Sequence, residues 1–159
     1  MVQEKVPCVV LIEDEQEAAY PIIRELGRHG IITFPTVGAQ EAVKKLIPGL
    51  LETGFQVIVV IMDGDNRTLN RRPEYNEDSI GDIRKILPDV PIIAASASPA
   101  RNREIVEKGV DCMICSTAPP GAEVSKTEAI TITLSYMEPY LLLETPAFSS
   151  KDQLVLIET

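Results

Sequence analysis

Five short apolar runs dictate what this chain can become: "CVVLI" at 8–12, "IITF" at 31–34, "VIVVIM" at 57–62, "PIIAA" at 91–95 and "CMIC" at 112–115. They are rich in β-branched residues and almost free of polar interruptions. A strand with one wet face alternates polar and apolar residues. These runs do not, so they predict strands buried on both faces, as in a parallel sheet.

The segments between the runs carry helical spacing. "EAAYPIIRELGRHG" places Ala18, Ile22, Ile23 and Leu26 on one face, and Gly27 or Gly30 can end it. Pro21 inside it predicts a late start or a kink, because a helix-interior proline lacks a donor and clashes with the preceding turn. "AQEAVKKLI" predicts a second helix that stops at Pro48-Gly49. "EDSIGDIRKILP" and "PARNREIVEKG" predict two more, the latter opened by Pro99 and closed by Gly109. Ser125 and Glu128 have capping-box spacing and predict a last helix running to about Met137, ahead of Pro139.

Strand then helix, five times over, is an α/β pattern with right-handed crossovers. The chain of 159 residues suits one domain, and 45% hydrophobic with 25% charged residues places it among globular rather than disordered sequences. A formal net charge of −9 argues against a direct nucleic-acid surface, which needs a basic stripe. No window approaches the ~20 apolar residues of a membrane span. "MVQEKV" has no signal-peptide layout, so the expectation is a cytoplasmic protein with no membrane partner. The cysteines are three, and Cys112 and Cys115 sit within an apolar run, where residues three apart face opposite ways on a strand. They read as buried small hydrophobes rather than a redox or zinc pair. His29 reads as a surface residue near a helix end.

In parallel α/β sheets the functional groups gather beyond the carboxyl ends of the strands. That rule selects Glu13, Asp14 and Glu15 after the first strand and Asp63 and Asp65 after the third. It also selects Ser96 and Ser98 after the fourth, and Ser116 and Thr117 after the fifth. Carboxylates from two strand ends with a hydroxyl from another make a hard oxygen site suited to Mg²⁺, which takes a few carboxylates and completes its shell with water and phosphate oxygens. Glu15 and Glu17 read instead as charges favoured at a helix N-terminus. The polar segment 64–78, "GDNRTLNRRPEYNED", is long for a loop in a compact domain, which marks it as either functional or disordered.

"VVLIEDEQEAA", an acid after the third strand, "IRKILPDVPIIAASAS" and "EKGVDCMIC" together resemble the response-regulator receiver domain. The resemblance covers about residues 6–138. It implies a flavodoxin-like, doubly wound, five-stranded parallel sheet of order 2-1-3-4-5 in a single domain, taken as 6–144, with a tail at 145–159. It also implies that Asp14 meets Mg²⁺ directly, Glu13 through water, and Asp65 through its backbone carbonyl. Asp63 would accept a phosphoryl group from a histidine kinase or phosphotransfer protein, and Ser96 would be the switch hydroxyl. A downstream protein would read the face of helix four, strand five and helix five, and a homodimer stays open. Separately from the resemblance, Arg67, Arg71 and Arg72 read either as recognition of a partner's phosphate or acidic groups or as solvated surface arginines.

Three departures from the family pattern stand out. Counting from Gln56, the acceptor position falls on Ile61, so Asp63 works only if the strand is longer or shifted. The lysine after strand five is replaced by Ser116, which cannot supply a cation, and Lys126 lies ten residues further on. The strand-five aromatic is Met113. These losses open a second reading, a pseudo-receiver acting as an interaction module without phosphorylation. "VIVVIMDGDN" also resembles the first motif of haloacid-dehalogenase phosphatases, with Asp63 as nucleophile and Asp65 as general acid, but Arg67 breaks that motif and no later acidic pair follows. Flavodoxin itself fits less well, since three acids occupy the place of its phosphate loop.

Overall fold

The structure, a computed structural model, describes residues 4–63, 65–66, 74–95, 107, 112–113 and 124–144. Its main sheet holds β1 (Val6–Ile12), β2 (Ile32–Thr36), β3 (Phe55–Met62), β6 (Ile92–Ala94) and β7 (Cys112–Met113), all parallel, in the order β2-β1-β3-β6-β7. This is the doubly wound order expected from the sequence. Between β3 and β6 in sequence, β4 (Asp65–Asn66) and β5 (Glu74–Tyr75) form a small antiparallel ladder. The segment 64–78 is therefore not a plain loop. Its two ends pair, Asp65 with Tyr75 and Asn66 with Glu74.

Both faces of the sheet are covered at β1, β3 and β6, which explains their unbroken apolar runs, whereas the edge strand β2 departs from the expectation and leaves Ile32 44% exposed. One core holds Cys8, Val10, Ile12, Val57, Val60, Met62, Ile92 and Ala94 from the sheet. Over it lie α2, a helical run over 39–52, and α3 (Ile80–Ile86). The other core packs Val9, Leu11, Ile58, Val59, Ile61 and Ile93 against α1 (Gln16–Arg28) and α4 (Val124–Glu144). Burial pushes the Cys8 thiol up to about 11, so it behaves as a small hydrophobe.

The alternation in β3 breaks once. Val57 faces the first core, Ile58 and Val59 both face the second, and Val60 returns to the first. The register to β1 slips at the same place, with Cys8 opposite Val57 and Val9 opposite Val59. Ile58 is thus the extra residue of a β-bulge, which inserts length and re-aims everything downstream.

The helices differ from the sequence reading at their prolines. α1 starts at Gln16, ahead of Pro21, so there is no late start, and its buried residues are Ala19, Ile22 and Leu26 rather than Ala18. It closes as predicted near Gly30, which takes φ 78° and donates to Gly27 O, while Ile31 N–H bonds Leu26 O. This is a Schellman cap, with Ile31 and Leu26 in the same core. α2 does not stop at Pro48. It passes through a π-helical turn, Ala42–Leu46, in which Ile47 N–H reaches back to Ala42 O, and continues as Ile47–Glu52. The wider turn makes room for a ring that the regular helix would reject. α4 likewise continues through Pro139 to Glu144, and it begins at Val124, so Ser125 lies within it. Long apolar surface on the sheet outweighs the local cost of each proline. No helix among the described residues is long and apolar enough to cross a membrane. The predicted helix around 99–109, apart from Glu107, and the tail 145–159 lie outside the described residues.

Candidate metal and phosphoryl site

The sheet delivers its acids to one point. β1 ends at Ile12 opposite Met62, the last residue of β3, so Glu13 and Asp63 leave adjacent strands at the same level. Two backbone bonds hold that level: Glu13 N–H donates to Thr36 O at 2.9 Å, and Asp63 N–H donates to Ile12 O at 2.9 Å. Each of Glu13, Asp14 and Asp63 offers a carboxylate oxygen, and these oxygens lie within 4.8 Å of one another. Asp63 directly follows β3, which runs from Phe55 to Met62. β3 is eight residues long, and the bulge at Ile58 takes up one of them.

Three half-buried carboxylates at this separation repel one another. The strain falls on Glu13, whose carboxyl is raised to about 8, chiefly by burial and then by the neighbouring Asp63. Asp14 adds to the rise, while a hydrogen bond from Glu15 N–H to Glu13 Oε1 at 3.2 Å opposes it. The cluster also has the dimensions of a hard-cation site. Oxygens around an octahedral Mg²⁺ stand about 3 Å apart when adjacent and about 4.2 Å when opposite, so small side-chain adjustments would close these carboxylates on the ion.

One residue here escaped the sequence reading. Asn76 is 1% exposed and opens the short 3₁₀ turn Asn76–Ser79. Its Nδ2 donates to Asp63 O at 2.9 Å, and its Oδ1 accepts from Ala39 N–H, at the start of α2, at 3.0 Å. It ties the Asp63 backbone to a neighbouring helix. An asparagine at a loop-to-helix junction was the available signal, but it reads equally well as a local cap.

Asp65 opens β4, two residues beyond Asp63. Ser96, Arg67, Arg71, Arg72, Ser116 and Cys115 lie outside the described residues. His29 is exposed at the end of α1, 3.9 Å from Glu25 and remote from the acids in sequence and element.

No protein-family model matches the sequence, and no curated protein sequence is similar to it. Solved structures are similar to its fold. The receiver domain of the Francisella response regulator 1452 aligns with TM-score 0.56 and 18% identity, over 84% of this chain and 98% of its own. The N-terminal domain of a response regulator/sensory box/GGDEF protein from Carboxydothermus hydrogenoformans aligns with TM-score 0.56 and 17% identity, over 83% and 94%. A response regulator receiver protein from Sinorhizobium medicae WSM419 gives TM-score 0.53 and 19% identity, over 80% and 94%. The chain has the receiver-domain fold. The candidate site of this receiver fold lies where parallel sheets place theirs, beyond the carboxyl ends of β1 and β3.

Proposed function

We propose that this protein acts in two-component signalling as a phosphoacceptor rather than a turnover enzyme. Asp63 takes a phosphoryl group from a histidine kinase or phosphotransfer protein. The observation behind this reading is the convergence of Glu13, Asp14 and Asp63 at adjacent strand ends of a receiver fold. A carboxylate oxygen of Asp63 attacks the phosphorus of a phosphohistidine, the P–N bond breaks, and the imidazole leaves with that electron pair. Asp14 and Asp63, with Glu13 through water and the Asp65 carbonyl, would hold Mg²⁺. The ion supplies positive charge that offsets the phosphoryl oxygens. Asn76 fixes the Asp63 backbone, so the attacking group is held before a donor arrives. Ser96 is assigned the switch hydroxyl, and Arg67, Arg71 and Arg72 the recognition of a partner.

Ser116 in place of the lysine favours one competing reading, a pseudo-receiver that binds partners without phosphorylation. Beryllofluoride, which mimics an acyl phosphate, separates the two. With Mg²⁺ it should shift amide resonances around Asp63 and Ser96 in the wild type and leave Asp63→Asn unmoved. Shifts with Mg²⁺ alone would leave a metal site without a switch, and silence to both would sink phosphorylation.

A further inference from the structure

Among the described residues β2 is an edge strand, paired with β1 on one side only. Thr36 O accepts from Glu13 N–H, so Ile32, Phe34 and Thr36 turn their main-chain groups toward β1. Thr33 and Pro35 alternate with them and turn theirs outward, where Pro35 offers a carbonyl but no donor. A cavity flanks this rim on each face of the sheet. One, of about 490 Å³, lies between β2 and α2, with Phe34, Leu46 and Leu50 as its apolar lining. The other, of about 590 Å³, lies between β2 and α1, where Ala19, Tyr20 and Ile23 form an apolar wall. The two meet at Pro35, Thr36 and Val37, which line both. Ile32 is 44% and Val37 42% exposed on this rim. An apolar edge left open invites a further strand.

An occupant of both cavities must be apolar on two opposite sides. A surface helix offers one apolar stripe, and a strand with a wet face alternates. An extended, unbroken apolar segment laid along the rim sends successive side chains into the two cavities in turn. The chain holds one such segment that the fold has not used. Its unbroken apolar runs of four or more enter β1, β3, β6 and β7, or lie at 140–143 in α4, except for "LVLI" at 154–157. We propose that residues 154–157 seat on the outer edge of β2 as a further strand of the main sheet. Leu154 and Leu156 fill one cavity, and Val155 and Ile157 fill the other. The connection is long enough. α4 packs beside α1 and ends at Glu144, and residues 145–153 span up to about 30 Å when extended, against roughly 20 Å for the whole length of α1. Pro35 is compatible with an edge position and removes one rung of the new ladder. The docking needs no phosphoryl group, so it stands apart from phosphorylation of Asp63.

The test compares the full-length wild type with Val155→Asp, Leu156→Asp and Ser150→Asp by amide NMR and hydrogen exchange. In the wild type the amides of 154–157 should exchange at least about tenfold more slowly than those of an unstructured segment. Their main-chain protons should show cross-strand contacts to Thr33. Val155→Asp and Leu156→Asp should each abolish that protection, because a carboxylate has no partner in an apolar groove. Their shift patterns should differ, since neighbouring residues of a strand point to opposite faces. One variant should move resonances of Ala19 and Ile23 in α1, and the other those of Leu46 and Leu50 in α2. Ser150→Asp, in the connection, should change neither protection nor these shifts. Protection should also be the same at about 20 μM and about 500 μM protein. Protection that grows with concentration alongside a doubled mass would assign the edge to a second copy and overturn the proposal. Unprotected amides at 154–157 in the wild type, or two aspartate variants that disturb the same helix, would overturn it as well.

Discussion

Glu13 makes the stability of the metal-free protein depend on pH in an unusual direction. Its carboxyl is lifted from an ordinary value of 4.5 to about 8, first by burial and then by Asp63 and Asp14. A carboxyl raised on folding holds its proton in the folded chain and releases it in the unfolded one. Between pH 4.5 and about 8 the folded state thus binds more protons, and stability falls as pH rises through that window. The full displacement corresponds to about 5 kcal/mol as an upper bound. Partial solvent access screens it, so the expectation is ~2–3 kcal/mol. Glu13→Gln keeps the shape and removes the titration. In EDTA, urea midpoints should agree for the two proteins near pH 5 and diverge by about pH 8.5, with the variant the more stable. Asp63→Asn should flatten the wild-type profile in part, because it removes the second cause of the rise. With saturating Mg²⁺ the order should reverse, since the ion rewards an ionised Glu13. Parallel pH profiles for wild type and Glu13→Gln in EDTA would refute the reasoning, as would a variant less stable at high pH.

Asn76→Ala leaves both the Ala39 donor and the Asp63 acceptor without their side-chain partner. It should cost about 2–4 kcal/mol in urea denaturation and weaken Mg²⁺ binding. Gly30→Ala meets no atom within 4 Å, so only the backbone resists at φ 78°; calorimetry should show a loss of about 1 kcal/mol. Deleting Ile58 should straighten β3 while keeping Val9 opposite Val59 and Glu13 level with Asp63, so Mg²⁺ affinity should stay within about twofold despite a loss of stability. Inserting one valine between Val60 and Ile61 should turn Asp63 to the other face and abolish binding in the same titration.

The apolar runs were enough to place the strands, and in β1, β3 and β6 burial on two faces leaves no room for polar residues. The meeting of Glu13, Asp14 and Asp63 followed from the same pattern, since acids at the ends of neighbouring parallel strands must share a rim. The bulge at Ile58 was invisible for the opposite reason. In "VIVVIM" every residue is apolar, so a slip of face leaves no mark in the sequence. The helices through Pro48 and Pro139 were also hidden. Local proline chemistry says stop, while the tertiary packing that overrides it, Ile47 and Leu50 beneath α2 and Tyr140 and Leu141 in α4, lies outside any local window. Asn76 stayed unread because its partners lie 13 and 37 residues away.

The β4–β5 ladder has a consequence for how this protein can change. The pair Asn66–Glu74 shuts the segment between them off at its base, and Asn76 pins the chain again just beyond. Seen from Asp63, the chain between Asn66 and Glu74 is joined to the sheet through that base. Because closure entropy grows only slowly with length, this is the place where the molecule can accept a fluorophore, an affinity tag or a whole inserted domain.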